Sequence, residues 1–304
     1  MAYFNKKILI ISPVHQSLIK ELKEKKYSFR YFPNINEKKL ILESRDAFLI
    51  VLRSGVKLTS KIIKMSQKLK YILRAGTGLD NIDINAAKTK NIKVFNLPNL
   101  NSQSVAEFGI GLMIAASRNI AQADSEIRKN LWNKPKFYGF ELNNKTLGII
   151  GMGNIGSKIA KIAKAFSMKV IANVKNKTKK RKLKIKLVSL KYLLKNSDFI
   201  SFNVPLTNLT KNLLNNKNCK LLKPTSVLIN LSRGGVVNED ILHNLLKKKK
   251  IFAAATDVFK NEGEKSKLFK LKNIIMTPHI GAMTHDAQKL IAKKTLYKIN
   301  KLLR

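Results

Sequence analysis

The sequence predicts an α/β protein built on parallel sheets. Short apolar segments alternate with amphipathic ones along most of the 304 residues, of which 44% are hydrophobic. The apolar segments have the length of buried strands, and the segments between them, as at 17–26 and 59–68, have apolar residues at helical spacing. Strands that alternate with helices form parallel sheets covered on both faces. A chain of this length can form two such domains.

The predicted strands fall into two groups, one in each half of the chain. Three lie at 6–12, 47–53 and 70–76. The second group has as many strands as a complete dinucleotide-binding sheet, and they are 145–151, 168–173, 199–204, 226–231, 252–257 and 273–278.

Two helical segments mark the borders between the predicted domains. Residues 101–129 have the pattern of one long helix, which Ser104 and Glu107 would open as a capping box. Residues 285–304 are predicted to form a helix that returns to the first domain. The predicted domains are therefore 1–98 with 285–304, and 99–284.

The charge of the chain is strongly positive. Lys and Arg number 60 and Asp and Glu 18, a net charge of +42. Such a charge can indicate binding to nucleic acid, an anionic membrane or an anionic small molecule. The lysines are scattered over every segment rather than gathered with aromatic residues, which favours a compositional origin. We therefore expect no nucleic-acid partner, whose binding would weaken steeply with salt.

Cysteine content and apolar runs bear on the compartment. The single cysteine, Cys219, excludes an internal disulfide and a cysteine-rich zinc site, and it suits a reducing cytoplasm. No metal site is predicted. No apolar run approaches the roughly 18 residues that span a bilayer, and the apolar stretch near the N-terminus is too short for a signal peptide. We expect a cytoplasmic protein that makes no membrane contact.

A glycine motif follows the first strand of the second group. Gly151, Gly153 and Gly156 form G-x-G-x-x-G between an apolar strand and an apolar-periodic helix. The first glycine permits the tight turn, the second lets the backbone approach a pyrophosphate, and the third lets helix and strand pack closely. The helix start, with Asn154 and Ile155, offers N–H groups to phosphates. This context favours a dinucleotide site over an ordinary glycine-rich turn.

The position that usually holds the cofactor ribose is not acidic. An Asp or Glu about 20 residues after the motif normally binds the ribose hydroxyls, and that position is Asn173 or Val174. Lys175 and Lys177 follow, in a lysine-rich stretch over 175–186. Loss of the carboxylate removes repulsion of a 2′-phosphate, whereas Asn173 could equally hold the ribose of NAD. The sequence predicts NAD or NADP and leaves the choice open.

Several longer segments resemble the D-2-hydroxyacid dehydrogenases. The resemblance covers nearly the whole chain and implies two Rossmann-like, doubly wound parallel-sheet domains with a cleft between them. It also implies hydride transfer between a nicotinamide and C2 of a small anionic 2-hydroxy or 2-oxo acid, and a homodimer. The segments are LRSGVKLT (52–59), LRAGTGLDNIDI (73–84), NSQSVAEFGIGLM (101–113), LGIIGMGNIGSKIAKIAKAFSMKVIA (147–172), SDFISFNVPLT (197–207), LINLSRGGVVNED (228–240), ATDVFKNE (255–262) and TPHIGAMT (277–284).

The resemblance assigns catalysis to Arg233, Glu262 and His279. A histidine suits proton transfer in either direction near neutral pH. A carboxylate on its other ring nitrogen fixes the tautomer, and the planar fork of an arginine can hold a carboxylate. The family usually has a proline directly after this glutamate. Here Gly263 stands in its place, so the loop is less constrained.

The resemblance also implies cofactor and substrate contacts. Gly76 and Gly78 resemble a loop whose N–H groups bind the substrate carboxylate. The other cofactor-lining positions are Pro205, Thr207 and Asp257, and the other substrate contacts are Arg53, Ser54, Arg74 and Asn101.

The substrate is inferred from two arginines and from the sequence of one segment. Arg53 and Arg74 suit a phosphorylated acid, and RAGTGLDNID is closest to the branch that oxidises D-3-phosphoglycerate to 3-phosphohydroxypyruvate, in serine biosynthesis. Glyoxylate and hydroxypyruvate reductases share the same scaffold, so they remain the alternative. A catalytically silent scaffold or nucleic-acid binder on this fold is the alternative of another class. The chain ends soon after the last helix, and we expect no serine-binding regulatory domain.

Overall fold

The computed structural model describes residues 6–176 and 184–303, so Lys177, which the sequence places beside the ribose position, lies outside the described residues. The chain forms two compact units, Met1–Asn101 with Met283–Arg304, and Ser102–Ala282. The sequence-based borders were 98/99 and 284/285.

The strands of each unit form one sheet. In chain order, the strands of the described residues are β1 (Ile8–Ile10), β2 (Phe29–Tyr31), β3 (Leu49–Leu52), β4 (Tyr71–Arg74), β5 (Lys93–Asn96), β6 (Thr146–Ile150), β7 (Lys169–Asn173), β8 (Lys186–Leu187), β9 (Phe199–Phe202), β10 (Val227–Asn230), β11 (Ala253–Thr256) and β12 (Ile274–Met276).

Both sheets are parallel and doubly wound. The first unit has the order β2-β1-β3-β4-β5, and the second has β12-β11-β10-β9-β6-β7-β8. All pairings between these strands are parallel. The second order reverses at β6 and β9, which is the switch point where open α/β sheets bind ligands. The predicted fold class, two Rossmann-like parallel-sheet domains, is confirmed.

Three strands were not anticipated, and their exposure explains why. The outer strands β2 and β5 are half-buried or exposed rather than fully buried, so they lack a continuous apolar run. The outer strand β8 has only two residues and begins at the last residue of the lysine-rich stretch. The other nine lie within the predicted segments.

Helices cover the sheets. In chain order, the α-helices of the described residues are α1 (Gln16–Glu24), α2 (Glu37–Ser44), α3 (Ser60–Met65), α4 (Ile84–Thr89), α5 (Ser102–Ser117), α6 (Ile120–Ile127), α7 (Asn154–Ala165), α8 (Leu190–Asn196), α9 (Glu239–Lys247) and α10 (His285–Leu303).

The predicted long helix over 101–129 is wrong in two details. It is two helices, α5 and α6, because Asn119 adopts a left-handed conformation with φ 54° between them. The predicted capping box is also wrong. Ser104 lies inside α5 and is buried, and Glu107 accepts a hydrogen bond from Gln103 at 2.6 Å.

The last helix, α10, belongs to the first unit. Its buried face includes Ile299 and Leu303 and packs with α1. Tyr27 donates to Asn300 at 2.7 Å, and Lys6 donates to the carbonyl of Leu303 at 2.7 Å. Within 6–176 and 184–303, no helix combines the length and the apolar character that crossing a bilayer demands.

Candidate active site

The predicted functional residues of the second unit follow the carboxyl ends of its parallel strands. Parallel strands present those ends at one edge of a sheet, which is where open α/β folds bind ligands. The residues that end these strands or follow them within three positions are Gly151 (β6), Asn173 (β7), Pro205 (β9), Arg233 (β10), Asp257 (β11) and His279 (β12).

Glu262 and His279 form a hydrogen-bonded pair. The Nδ1 of His279 lies 2.7 Å from Oε1 of Glu262. The His279 side chain is 32% exposed and that of Glu262 is 48% exposed. Since Nδ1 is engaged by the carboxylate, Nε2 is the ring nitrogen left for a reacting group, the arrangement of an oriented acid–base histidine.

The turn that carries His279 is held by Asp257. This carboxylate is 3% exposed. It accepts hydrogen bonds from the hydroxyl of Thr277 at 2.6 Å and from the backbone N–H groups of Ile280 and Gly281, both at 2.8 Å. Asp257 thus braces the turn that carries His279, and its predicted contact with the nicotinamide stays a prediction.

Arg233 is set by a turn at the end of β10. Asn230 accepts from the N–H of Ser232 at 3.2 Å and from its hydroxyl at 2.7 Å, and donates to the carbonyl of Arg233 at 3.3 Å. The next residue, Gly234, packs on the loop after β11, because a Cβ there would lie 1.8 Å from the carbonyl oxygen of Phe259. The loops that carry Arg233 and Glu262 are therefore in direct contact.

A pocket of about 440 Å³ adjoins the Glu262–His279 pair. Phe259 and Phe269 meet edge to face in its wall, with ring centroids 5.6 Å apart. Gly263, which replaces the family's proline, also lines it and has φ 90°, a value that proline cannot adopt. The backbone at residue 263 therefore has a conformation that a proline at this position would not allow.

The glycine motif forms a cradle that suits a pyrophosphate. A Cβ at Gly151 would lie 2.5 Å from the carbonyl oxygen of Asn203, and one at Gly156 would lie 2.2 Å from that of Gly151. A Cβ at Gly153 would meet nothing within 4 Å. Gly153 is the N-cap of α7 and supplies no capping side chain. Two glycines thus serve packing, whereas Gly153 leaves open space at the positive end of a helix.

The end of β7 shows how the ribose position is built. Asn173 donates its amide to the carbonyl of Val188 at 2.9 Å, so this side chain already braces the sheet. Val174 is half-buried and Lys175 is exposed. No carboxylate stands at this position, which is consistent with either cofactor.

The loop after β9 carries Pro205 and Thr207. Both are exposed. The hydroxyl of Thr210 donates to the carbonyl of Pro205 and accepts from the N–H of Thr207 at 2.8 Å, so it holds the loop in a turn. Their roles as cofactor contacts stay predictions.

In the first unit, Arg53 and Arg74 lie at the ends of neighbouring strands. Leu52 of β3 pairs with Arg74 of β4, so Arg53 is one residue beyond this pair. Arg53 is half-buried and donates to the carbonyl of Pro13 at 3.4 Å; its Nε is buried without a hydrogen-bond partner among the described residues. Burial lowers the pKa of the Arg53 guanidinium. A partly desolvated cation favours an anionic partner.

The remaining predicted substrate contacts surround these arginines in sequence. A Cβ at Gly76 would lie 1.7 Å from Nη1 of Arg74, so only glycine allows this guanidinium to pack there. Gly78 is half-buried in the same loop, Ser54 is exposed, and Asn101 directly precedes α5.

Asn81 was missed by the sequence reasoning. Its side-chain amide donates to the carbonyls of Arg53 at 2.8 Å and Val56 at 2.6 Å. It therefore fixes the loop after β3 that carries Arg53 and Ser54. Its position in the segment LRAGTGLDNIDI indicated a residue near the site. The loop that it bonds lies about 25 residues earlier in the chain, so the sequence did not reveal this partner.

Comparison with known proteins defines the class. Residues 110–281 match the family model of the D-isomer specific 2-hydroxyacid dehydrogenase, NAD binding domain. The D-3-phosphoglycerate dehydrogenase of Methanocaldococcus jannaschii is 41% identical over 302 residues, which are 98% of this chain and 57% of that protein. The hydroxypyruvate reductase of Thermotoga maritima is 43% identical over 259 residues, 84% of each chain.

A solved structure agrees along nearly the whole chain. The acyclic imino acid reductase Bsp5, in complex with NADPH and D-Arg, has a TM-score of 0.88 at 32% identity and covers 98% of this chain and 97% of its own. The chain belongs to the D-isomer specific 2-hydroxyacid dehydrogenase family, whose NAD-binding domain it carries. It spans 57% of the length of the archaeal phosphoglycerate dehydrogenase.

Proposed function

We propose that the protein is an NAD(P)-dependent D-2-hydroxyacid dehydrogenase that interconverts D-3-phosphoglycerate and 3-phosphohydroxypyruvate. The observation that carries the chemistry is the 2.7 Å hydrogen bond between Glu262 and His279, on loops that follow the carboxyl ends of neighbouring strands. Family membership and the glycine cradle support the cofactor.

Oxidation removes a hydride from C2 and a proton from the hydroxyl oxygen. The glycine cradle would hold the cofactor, whose nicotinamide ring would supply the hydride acceptor for this oxidation. His279 accepts the proton at Nε2, while Glu262 keeps the proton on Nδ1 and stabilises the imidazolium that forms. In the reverse direction His279 returns the proton to the 2-oxo oxygen. Arg233 holds the substrate carboxylate and polarises the 2-oxo group through its planar fork.

Two arginines support a phosphorylated substrate. Arg53 has no carboxylate partner among the described residues, and Arg74 ends the adjacent strand. We propose that they bind the phosphate, with Ser54, Gly76, Gly78 and Asn101 as further substrate contacts. The archaeal relative named D-3-phosphoglycerate dehydrogenase supports this choice.

Hydroxypyruvate reductase is the second candidate. The relative with that name is 43% identical, and the match spans 84% of each chain. Hydroxypyruvate lacks the phosphate, so Arg53 and Arg74 would then be needed for its carboxylate alone.

We propose that the cofactor site accepts NADP as well as NAD. No carboxylate repels a 2′-phosphate at Asn173 or Val174, and Lys175 follows directly. Val174→Asp should then lower kcat/KM with NADPH by at least about tenfold relative to NADH, since a carboxylate repels the phosphate and binds the ribose hydroxyls. An unchanged cofactor ratio would show that residue 174 does not face the ribose.

The substrate assignment is tested by kcat/KM for 3-phosphohydroxypyruvate and hydroxypyruvate, each with NADH and NADPH. We expect the phosphorylated acid to be preferred by at least about tenfold, and Arg53→Ala to abolish that preference. Arg45→Ala, which removes an exposed arginine of the same unit, is the control. Preference for hydroxypyruvate in the unaltered protein would establish the second candidate, and no turnover with either acid would contradict the proposed activity.

His279→Ala tests the chemistry itself. Loss of a general acid–base group lowers turnover by about 100-fold or more. Retention of wild-type turnover would refute this role of His279.

We further propose a cytoplasmic homodimer. The family resemblance assigns subunit contact to the segment that contains Trp132 and Tyr138. These aromatic side chains are 86% and 83% exposed, and an exposed apolar patch of this kind suits a protein interface. Light scattering would show a mass of one subunit if this proposal is wrong.

A further inference from the structure

The turn that carries His279 is in a conformation that needs support. His279 has φ 56°, in the left-handed region, which is strained for a residue that carries a side chain. Such a residue keeps its conformation only where its neighbours are fixed. Asp257 fixes the N–H groups of Ile280 and Gly281, but it cannot fix a carbonyl, because a carboxylate only accepts hydrogen bonds.

Ser104 fixes the carbonyl of the same turn. It lies in α5 and is 8% exposed. Its hydroxyl donates to the carbonyl oxygen of Gly281 at 2.6 Å, across 177 residues of sequence. Gly281 is therefore held on both of its polar groups by buried side chains, with Asp257 on the N–H and Ser104 on the carbonyl.

Side chains pack closely around Gly281. A Cβ at Gly281 would lie 3.1 Å from Oδ2 of Asp257 and 3.5 and 3.6 Å from side-chain atoms of Phe108 and Val105 on α5. The turn is thus enclosed between Asp257 and the same helix that supplies Ser104. The Ser104 hydrogen bond is the one polar contact, among the described residues, that anchors the Gly281 carbonyl to α5. Its loss therefore releases that carbonyl from the helix.

We propose that Ser104 is a positioning residue for His279. By anchoring the Gly281 carbonyl to α5, it keeps His279 in the left-handed conformation in which Nδ1 meets Glu262. Ser104 acts through the backbone and takes no part in the chemistry. Its effect on turnover rests on the proposed function of His279, whereas its effect on the His279 ring does not.

The test compares Ser104→Ala with a matched control, Ser117→Ala. Ser117 is in the same helix and fully buried, and its hydroxyl bonds within that helix, to the carbonyl of Ile114 at 3.2 Å. Each variant removes one buried hydroxyl, so we expect both to fold and to lose a similar amount of Tm, about a few degrees. With 3-phosphohydroxypyruvate, or hydroxypyruvate if that is the better substrate, we expect kcat to fall about tenfold in Ser104→Ala only. KM for NADH should stay within about twofold, as expected when orientation rather than binding is lost.

A second readout does not require activity. The chain has four histidines, so the ring signals of ¹⁵N-histidine-labelled protein are few, and His279→Ala identifies those of His279. We expect these signals to shift or broaden in Ser104→Ala and to remain in place in Ser117→Ala. Equal kcat values for the two variants would overturn the proposal. If the unaltered protein has no turnover, the proposed function fails, and the positions of the His279 signals alone then decide whether Ser104 positions this ring.

Discussion

Gly153→Ala tests whether Gly153 is needed for cofactor binding, in contrast to Gly151 and Gly156, which are needed for packing. Gly153 has φ −80° and ψ −159°, which alanine adopts without strain, and its Cβ would meet no atom within 4 Å. Alanine is a poorer N-cap than glycine, so we expect a cost of less than about 1 kcal/mol and a fall in Tm of no more than about 3 °C. If a pyrophosphate crosses Gly153, the added methyl group occupies its place. The Kd for NADH should then rise at least about tenfold, or about 1.4 kcal/mol.

The matched control is Gly156→Ala. Its Cβ would lie 2.2 Å from the carbonyl oxygen of Gly151, so backbone must move. Overpacking of this kind costs about 1–3 kcal/mol, and Tm should fall by about 3–10 °C. Both variants are measured by thermal unfolding and by NADH fluorescence titration. If Gly153→Ala leaves both Tm and the Kd for NADH unchanged, the pyrophosphate does not pass over Gly153 and the cradle is misassigned.

Three further outcomes are expected. Arg233→Lys should lower kcat at least about tenfold although the charge is kept, because the planar fork is lost; wild-type kcat and substrate KM would exclude a role for the fork. Gly263→Pro should lower kcat several-fold with little change in Tm, because proline cannot adopt the φ of 90° that follows Glu262; an unchanged kcat would mean that residue 263 has a negative φ in solution. Asp198→Asn should lower stability at pH 7 by about 1–2 kcal/mol. Burial opposes ionisation of Asp198, but hydrogen bonds from Lys223 and the Thr146 N–H outweigh it and lower its pKa. The stabilisation is therefore fully present above the unfolded-state pKa of about 4 and is lost as pH falls through the folded-state pKa. A difference between wild type and Asp198→Asn that stays constant from pH 7 to pH 3 in urea unfolding would contradict this account.

The sequence by itself determined the α/β class and most of the strands. Buried parallel strands are continuous apolar runs, as in β1 and β3, and such a run is visible without any partner. The glycine motif could also be recognised from the sequence, because its spacing is typical of a local turn between a strand and a helix. Outer strands such as β2 and β5 have no such signature, because their side chains are not fully buried.

Only the tertiary structure decided which partners the polar side chains have. Ser104 has the local pattern of a helix cap, yet its hydroxyl bonds Gly281. Asn81 bonds a loop of a neighbouring strand, and Asp257 braces the turn of His279. The family resemblance predicted that Glu262 pairs with His279, and only the structure gives the 2.7 Å distance between them. The physical reason is the distance along the chain between interacting residues. Periodicity reflects contacts within a few residues. A hydrogen bond between distant residues forms only once folding has brought their segments together at one edge of the sheet.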